Sequence, residues 1–368
     1  MSNVVRKKDS KTIAFLTHDW AWGTEPLQPN GCAWYRCKLP SVELKKHGWA
    51  TAIGFPGFNE DAGFGLLLPD GRSIHGWDII VFKLLMQREV LEWMPKAKKL
   101  GQKIVVDIDD AHDELDTANQ AYYVTSKEHS PDFNREIYAQ IIMQADAIIT
   151  STPYLFEYYK NKRNNVYMVR NGIDLPRWKK NKINYTKRLN IGWVGATNFR
   201  SKDLEELSVF IGPYVIENKL GFVHSGHQHN AITANMQLGI PNEYVVKTNG
   251  LETIMKYPSL FKDIDIGIAP LRNIPFNHAK SYIKGLEYAA AGVPFVATSL
   301  GEYDYLASHG VGRVAKTFDE WMYHFDELLD LQKRKDEIEI NYENLQNFTM
   351  KKRGVEWDET FKKILEQK

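Results

Sequence analysis

The chain has 368 residues, of which 43% are hydrophobic and 25% charged, and a formal net charge of +1. That length allows two separate cores, and the near-neutral balance calls for no polyanionic partner overall. No stretch approaches the eighteen apolar residues of a membrane span, and the run 13–16 behind Arg6-Lys7-Lys8 is too short for a signal peptide. Cys32 and Cys37, five apart, fit no metal or redox spacing, so a reducing cytoplasm is the expected compartment. The expectation is a cytoplasmic protein, soluble or at most peripheral to the inner face of a membrane.

In chain order, short β-branched runs at 12–17, 78–82, 103–107, 147–150 and 166–169 alternate with amphipathic stretches at 34–47, 89–100 and 134–144. Strands separated by helices of this length imply right-handed crossovers and a parallel sheet. The pattern restarts near 188, with strand-like runs at 190–194, 221–223, 244–246, 265–269, 294–297 and 312–314. The fold class is therefore α/β, two Rossmann-like domains in tandem. We expect a first domain over 1–185, a basic linker at about 175–188, a second domain over 186–350 and a last helix over 351–368. That helix carries Val355, Phe361 and Leu365 as its apolar residues. The joint is basic, with ten Lys or Arg from Lys160 to Arg188 against the single acid Asp174. A solvated linker, an anionic membrane surface and nucleic-acid phosphates are the three readings of that charge.

In an open α/β sheet the ligand lies beyond the carboxyl ends of the strands, which selects a short set of residues. After the first strand come His18-Asp-Trp20-Ala-Trp22, then Gly31 ahead of a helix. Gly31 would let backbone N–H groups approach a phosphate, and Trp20, Trp22 and Trp34 offer flat faces for sugar rings. The run Asp107-Ile-Asp109-Asp110-Ala-His112-Asp113 brings four carboxylates and a histidine off one strand end, which suits division of acid and base roles. Further on, Gly195-Ala-Thr-Asn198-Phe-Arg200-Ser201-Lys202 combines small residues with two cations at a helix start, a credible diphosphate cradle. His224-Ser-Gly226-His227-Gln-His229 follows another strand and is read as a loop lining the site rather than as a zinc cluster. Last, Lys280, Lys284 and Glu287 fall at i, i+4 and i+7, so a helix over 280–291 would show two ammonium groups and a carboxylate on one side. Such a face can hold a diphosphate and a ribose.

Four segments together resemble GT-B glycosyltransferases of family 4: Asn171-Gly-Ile-Asp174, the Gly195-to-Lys202 loop, Asp265-Ile-Gly-Ile-Ala-Pro270-Leu, and Leu286-Glu287-Tyr-Ala-Ala-Ala-Gly292-Val-Pro294. The resemblance implies two Rossmann-like domains facing each other across a cleft, with the acceptor on the first and the sugar nucleotide on the second. It further implies a last helix that returns to the first domain, retention of anomeric configuration, and no metal or other cofactor beyond the nucleotide-diphosphate sugar used as co-substrate. Glu287 looks like the family's second motif glutamate, which holds the ribose, and the first glutamate falls on Ala279, with His278, Lys280 or Ser281 nearby to take its task. Lys202 resembles the lysine that neutralises the diphosphate, with Arg200 in place of the family arginine that falls on Thr197. Asp109 stands where many members place a histidine.

The expected site is thus Asp107, Asp109 and His112 for catalysis, with Glu287 at the ribose. Gly31, Arg200, Lys202, Lys280, Ser281 and Lys284 would serve the donor diphosphate, and Trp20, Trp22 and Asp110 the acceptor. The acceptor would be a glycan, a lipid-linked group or a protein. A degenerate fold that binds nucleotide or glycan without turnover, and a transferase acting on modified DNA bases, are the alternatives.

Overall fold

The structure is a computed structural model and describes residues 11–21, 27–68, 71–183, 185, 188–197, 202–227, 233–250 and 253–367. Two compact units emerge: Met1–Asp113, Val124–Gly172 and Met350–Lys368 in the first, Glu114–Tyr123 and Ile173–Thr349 in the second.

In the first unit, strands β1 (Thr12–Thr17), β4 (Ala50–Asn59), β5 (Gly63–Leu67), β6 (Ser73–Ile74), β7 (Ile79–Lys83), β8 (Lys103–Ile108), β9 (Ala147–Thr150) and β10 (Val166–Met168) form one sheet. Its order is β10-β9-β8-β7-β1-β4-β5-β6, while β2 (Trp20–Ala21) and β3 (Gln28–Pro29) make a separate two-stranded ladder. From β10 to β4 the strands run parallel, and every residue of β1 and β7 is buried, as strands covered on both faces require. The β4–β5–β6 meander is absent from the sequence expectation. The first half of β4 pairs with β1 and the second half with β5, so Pro56 has only one strand neighbour and is tolerated.

The final helix, Met350–Glu366, also belongs to this unit. Its buried stripe is Trp357, Phe361 and Ile364, which meets Phe15 of β1, whereas Val355 is 46% exposed. Of the three apolar residues expected to carry this helix, Phe361 is in the stripe, Leu365 is half-buried and Val355 lies outside it. Gly354 is small because the helix lies against Glu43, whose Cβ an added methyl group would meet at 2.8 Å.

The second unit holds β11 (Asn190–Val194), β12 (Gly221–Ser225), β13 (Val245–Asn249), β14 (Ile266–Ala269), β15 (Phe295–Thr298) and β16 (Arg313–Ala315). All are parallel in the order β13-β12-β11-β14-β15-β16, the doubly wound order whose switch point lies between β11 and β14. The segment expected to be a linker is part of this unit: Trp178 is 5% exposed and packs edge-on to Phe261 at 5.3 Å. The boundary accordingly falls after Gly172 rather than at 185. Among the described residues, no helix is long and apolar enough to cross a membrane.

Tyr288 positions the helix Ile283–Ala290 on this sheet. Its buried hydroxyl lies 3.3 Å from the Val194 N–H and 3.0 Å from the Ile268 carbonyl, bridging β11 and β14 at the switch point. Gly267 makes room for the ring, since a Cβ there would come within 2.5 Å of it. Substituting Gly267→Ala should lower stability by about 1–3 kcal/mol through overpacking, read as a lower urea midpoint. An unchanged midpoint would show that the ring is not wedged as described.

Candidate functional site

In the first unit the carboxyl ends of β7 and β8 carry a buried ion cluster. Register pairs Lys83 with Asp107 on adjacent strands, so the two side chains leave the sheet together. Asp107 is wholly buried, with Oδ1 taking Arg36 Nε at 3.0 Å and Lys83 Nζ at 3.4 Å while Oδ2 takes Arg36 Nη2 at 2.6 Å. Arg36 also donates to the Val169 carbonyl at 2.7 Å and to Asn171 Oδ1 at 3.1 Å, and its guanidinium lies 4.8 Å from the Trp357 ring. It reaches this position from a π-helical turn, Trp34–Lys38, inserted in the helix after Gly31.

These contacts change the reading of several expected residues. Asp107 has both oxygens committed and no exposure, so it holds the cluster together and meets no acceptor. Asp109 sits at the rim, 11% exposed, in contact with Lys83. Burial alone would raise its carboxyl, but the Lys83 ammonium overrides this, and Arg36 and His112 add in the same direction, holding it at about 2. An acid so strong is a fixed negative charge and a poor proton acceptor. His112 lies half-buried nearby, edge-on to Tyr138 at 5.6 Å, and Asp110 is half-buried at the strand exit.

The helix start at Gly31 is already occupied by an anion: Asp19 Oδ2 accepts from the Ala33 N–H at 2.8 Å. A phosphate there would face that carboxylate, so the donor role expected for Gly31 is not supported by its surroundings. Trp20 donates its indole N–H to the Thr17 carbonyl and lies on Phe55 at 5.2 Å, half-buried, while Trp34 is 7% exposed and belongs to the core. Trp22 lies outside the described residues.

In the second unit, the loops after β11, β12 and β14 gather at the switch point. Gly226, with φ +134°, lets its loop pass the Gly195 carbonyl, which an added Cβ would approach to 2.2 Å. His224 stacks on Trp193 at 5.2 Å and bonds to the Gly195 carbonyl at 3.0 Å, so its ring shapes the loop. Lys202, in the left-handed region at φ +63°, is 57% exposed and 3.5 Å from Glu205. Arg200, Ser201 and His229 lie outside the described residues. The neighbouring Asp203 is buried and accepts from the Arg272 N–H at 3.1 Å and from Asn277 Nδ2 at 2.6 Å, tying the β11 loop to the β14 loop.

The helix expected over 280–291 begins at Ile283, so Lys280 and Ser281 stand in the turn ahead of it. Lys280 Nζ lies 4.2 Å from the Phe276 ring. Lys284 and Glu287 instead bond to each other at 2.6 Å, and Tyr257 joins them, donating to Glu287 Oε2 at 3.0 Å and receiving from Lys284 at 2.6 Å. Lys284 is thus the counter-ion of the buried Glu287, whereas Lys280 and Lys202 stand outside that pairing. Ala279 is wholly buried, so the side chain at that position reaches no ligand.

Arg36, Lys83, Tyr257 and Asp203 are absent from the set expected from sequence. Lys83 alone leaves a local signal, a cation closing an apolar strand.

No family-wide sequence profile matches the chain. It is similar to the Bacillus subtilis (strain 168) protein assigned as teichuronic acid biosynthesis glycosyltransferase TuaH, at 26% identity over 182 residues. That match spans 44% of this chain and 42% of the relative, well under half the relative's length. Among solved structures, sucrose-phosphate synthase from Thermosynechococcus elongatus superposes with a TM-score of 0.63 at 12% identity, covering 96% of this chain and 99% of that one. Anabaena HepE, solved with UDP and glucose, gives a TM-score of 0.59 at 13% identity over 96% of this chain and 100% of HepE. The fold is that of the GT-B glycosyltransferases. Two Rossmann-like domains, expected from the sequence, are thereby established.

The buried cluster of the first unit makes its own prediction. Lys83→Met leaves Asp107 and Asp109 without their shared ammonium and should cost about 3–5 kcal/mol, as for other broken buried pairs. Chemical denaturation would measure it, and a loss below about 1 kcal/mol would mean that water, not Lys83, balances those carboxylates.

Proposed function

We propose that this chain is a glycosyltransferase that moves a sugar from a nucleotide-diphosphate sugar, with UDP the favoured nucleotide, to an acceptor hydroxyl. The observation that carries the reading is the Lys284–Glu287 pair, on a helix locked at the β11/β14 switch point and held by the Tyr257 hydroxyl from a neighbouring turn. It presents one buried, oriented carboxylate where a doubly wound sheet receives a nucleotide. The UDP bound by HepE, a protein of the same fold, supports the choice of base.

On this reading Glu287 accepts the ribose hydroxyls, and Tyr257 and Lys284 hold it ionised and aimed. Lys202 and Lys280, with Arg200, stabilise the charge that grows on the diphosphate as the sugar bond breaks, usually the largest source of rate acceleration in such transfers. Asp109 supplies a permanent negative charge on the acceptor side, with Asp110, His112 and Trp20 positioning the acceptor. Retention of configuration, independence of metal and membership of family 4 are part of the proposal. The sequence relation to TuaH favours a glycan acceptor over protein or DNA.

The test is sugar release and transfer from UDP-sugars by wild type and by Glu287→Ala. Losing one or two hydrogen bonds to a charged group, worth about 1.5–3 kcal/mol, should reduce kcat/KM by about ten- to a hundredfold. Wild-type activity in the variant would remove the assignment. UDP binding by the wild type with no turnover of any donor would favour instead a binding protein, the reading to which Ala279 points.

A further inference from the structure

Residues 177, 179–182 and 188 of the basic joint, left without a task by the proposed reaction, line a cavity of about 520 Å³ in the second unit. That volume suits a small molecule. Six cations line it, Arg177, Lys179, Lys180, Lys182, Arg188 and Lys262, against two carboxylates, Asp263 and Asp265. Both carboxylates are engaged: Asp263 with Lys247 at 2.6 Å, and Asp265 with the Asn190 N–H at 2.8 Å. Three of the cations build the wall. Arg177 pairs with Asp174 at 2.7 Å, Lys180 with Glu339 at 2.9 Å, and Arg188 donates to the Leu220 carbonyl. Lys179, Lys182 and Lys262 are exposed and have no ion pair among the described residues.

Asn190 opens β11 and Asp265 immediately precedes β14, so the cavity lies at the amino ends of these strands, away from the loops that follow them. Its wall is nevertheless joined to the proposed donor site. Pro258 and Ser259 line the cavity and share the one-turn helix Tyr257–Phe261 with Tyr257, the hydroxyl that holds Glu287. Asn181, also in the wall, donates its side-chain N–H to the Phe261 carbonyl at 2.8 Å and its backbone N–H to the Ala291 carbonyl at 2.7 Å. Ala291 caps the helix that carries Glu287 and Lys284.

We propose that this cavity is an effector site for a small anion bearing two phosphate groups. A phosphate monoester carries nearly two negative charges at neutral pH, so two of them balance the excess of lysines and arginines in a space of this size. An occupant pulls on the Asn181 and Tyr257–Phe261 segments and thereby shifts the hold on Glu287. The binding half of this proposal stands by itself, and the coupling half rests on the donor reading above.

Inorganic pyrophosphate, without divalent cations, is the probe, titrated calorimetrically into the full chain with UDP present to fill the donor cradle. The wild type should bind it with an affinity that falls as salt rises. The exposed-lysine variant Lys179→Ala/Lys182→Ala/Lys262→Ala, with an unchanged thermal midpoint, should bind at least tenfold more weakly. Equal affinity in the two proteins would overturn the site. Vesicles containing phosphatidylinositol 4,5-bisphosphate distinguish the source: sedimentation of wild type but not variant assigns a lipid headgroup, and binding of pyrophosphate alone assigns a soluble ligand. The UDP affinity should change with pyrophosphate more in wild type than in the variant, and identical changes would overturn the coupling. Failure of UDP to bind at all would instead strike the donor reading while leaving the pyrophosphate titration readable.

Discussion

The Tyr288 ring, wedged between helix and sheet, sets where Glu287 and Lys284 stand. Its hydroxyl touches the backbones of both switch-point strands, and Gly267 exists without a side chain to admit it. A helix pinned in this way cannot rotate, so the neighbouring carboxylate keeps one direction. Preorganisation of that kind is what makes a charged group useful toward a ligand rather than merely present. The rest of the second unit elaborates the same arrangement: Asp203 fastens the β11 loop to the β14 loop, and Tyr257 closes over Glu287.

The first unit handles charge differently. Arg36, Lys83, Asp107 and Asp109 place two cations against two carboxylates in a space almost closed to water. Only Asp109 reaches the rim, and its depressed pKa makes it a constant charge, not a titrating base. The cluster ties the strand ends of β7 and β8 together, and breaking it would leave a buried charge uncompensated. The rim that the proposal assigns to the acceptor is thus a rigid one carrying the Asp109 charge, supported from below by the π turn that delivers Arg36.

The fold was legible because parallel strands buried on both faces write themselves as apolar runs, and those at β1, β9 and β11 coincide with the runs expected. The β4–β5–β6 meander was illegible because a half-edge strand tolerates the glycines and Pro56 that otherwise signal turns. At the candidate site, the i, i+4, i+7 spacing put Lys280, Lys284 and Glu287 on one helix face, whereas the helix begins at Ile283 and Lys284 pairs with Glu287. An i, i+3 ion pair and an i, i+7 shared face look alike until Tyr257, thirty residues upstream, shows which partner the carboxylate takes. Asp107 and Asp109 are two residues apart in one run but differ in depth, and depth depends on Arg36 and Lys83, which come from other elements. Gly31 looked like a phosphate turn because nothing in sequence says that Asp19 folds back onto it.

Central to the proposed function is that the second unit receives the nucleotide at the ends of β11 and β14, against Glu287. Hydrogen–deuterium exchange with and without UDP tests this most directly. Exchange should slow in residues 195–203 and 280–287 and at Tyr257, with the strands of the first unit unchanged. Protection confined to the first unit, or no protection anywhere at saturating UDP, would contradict it.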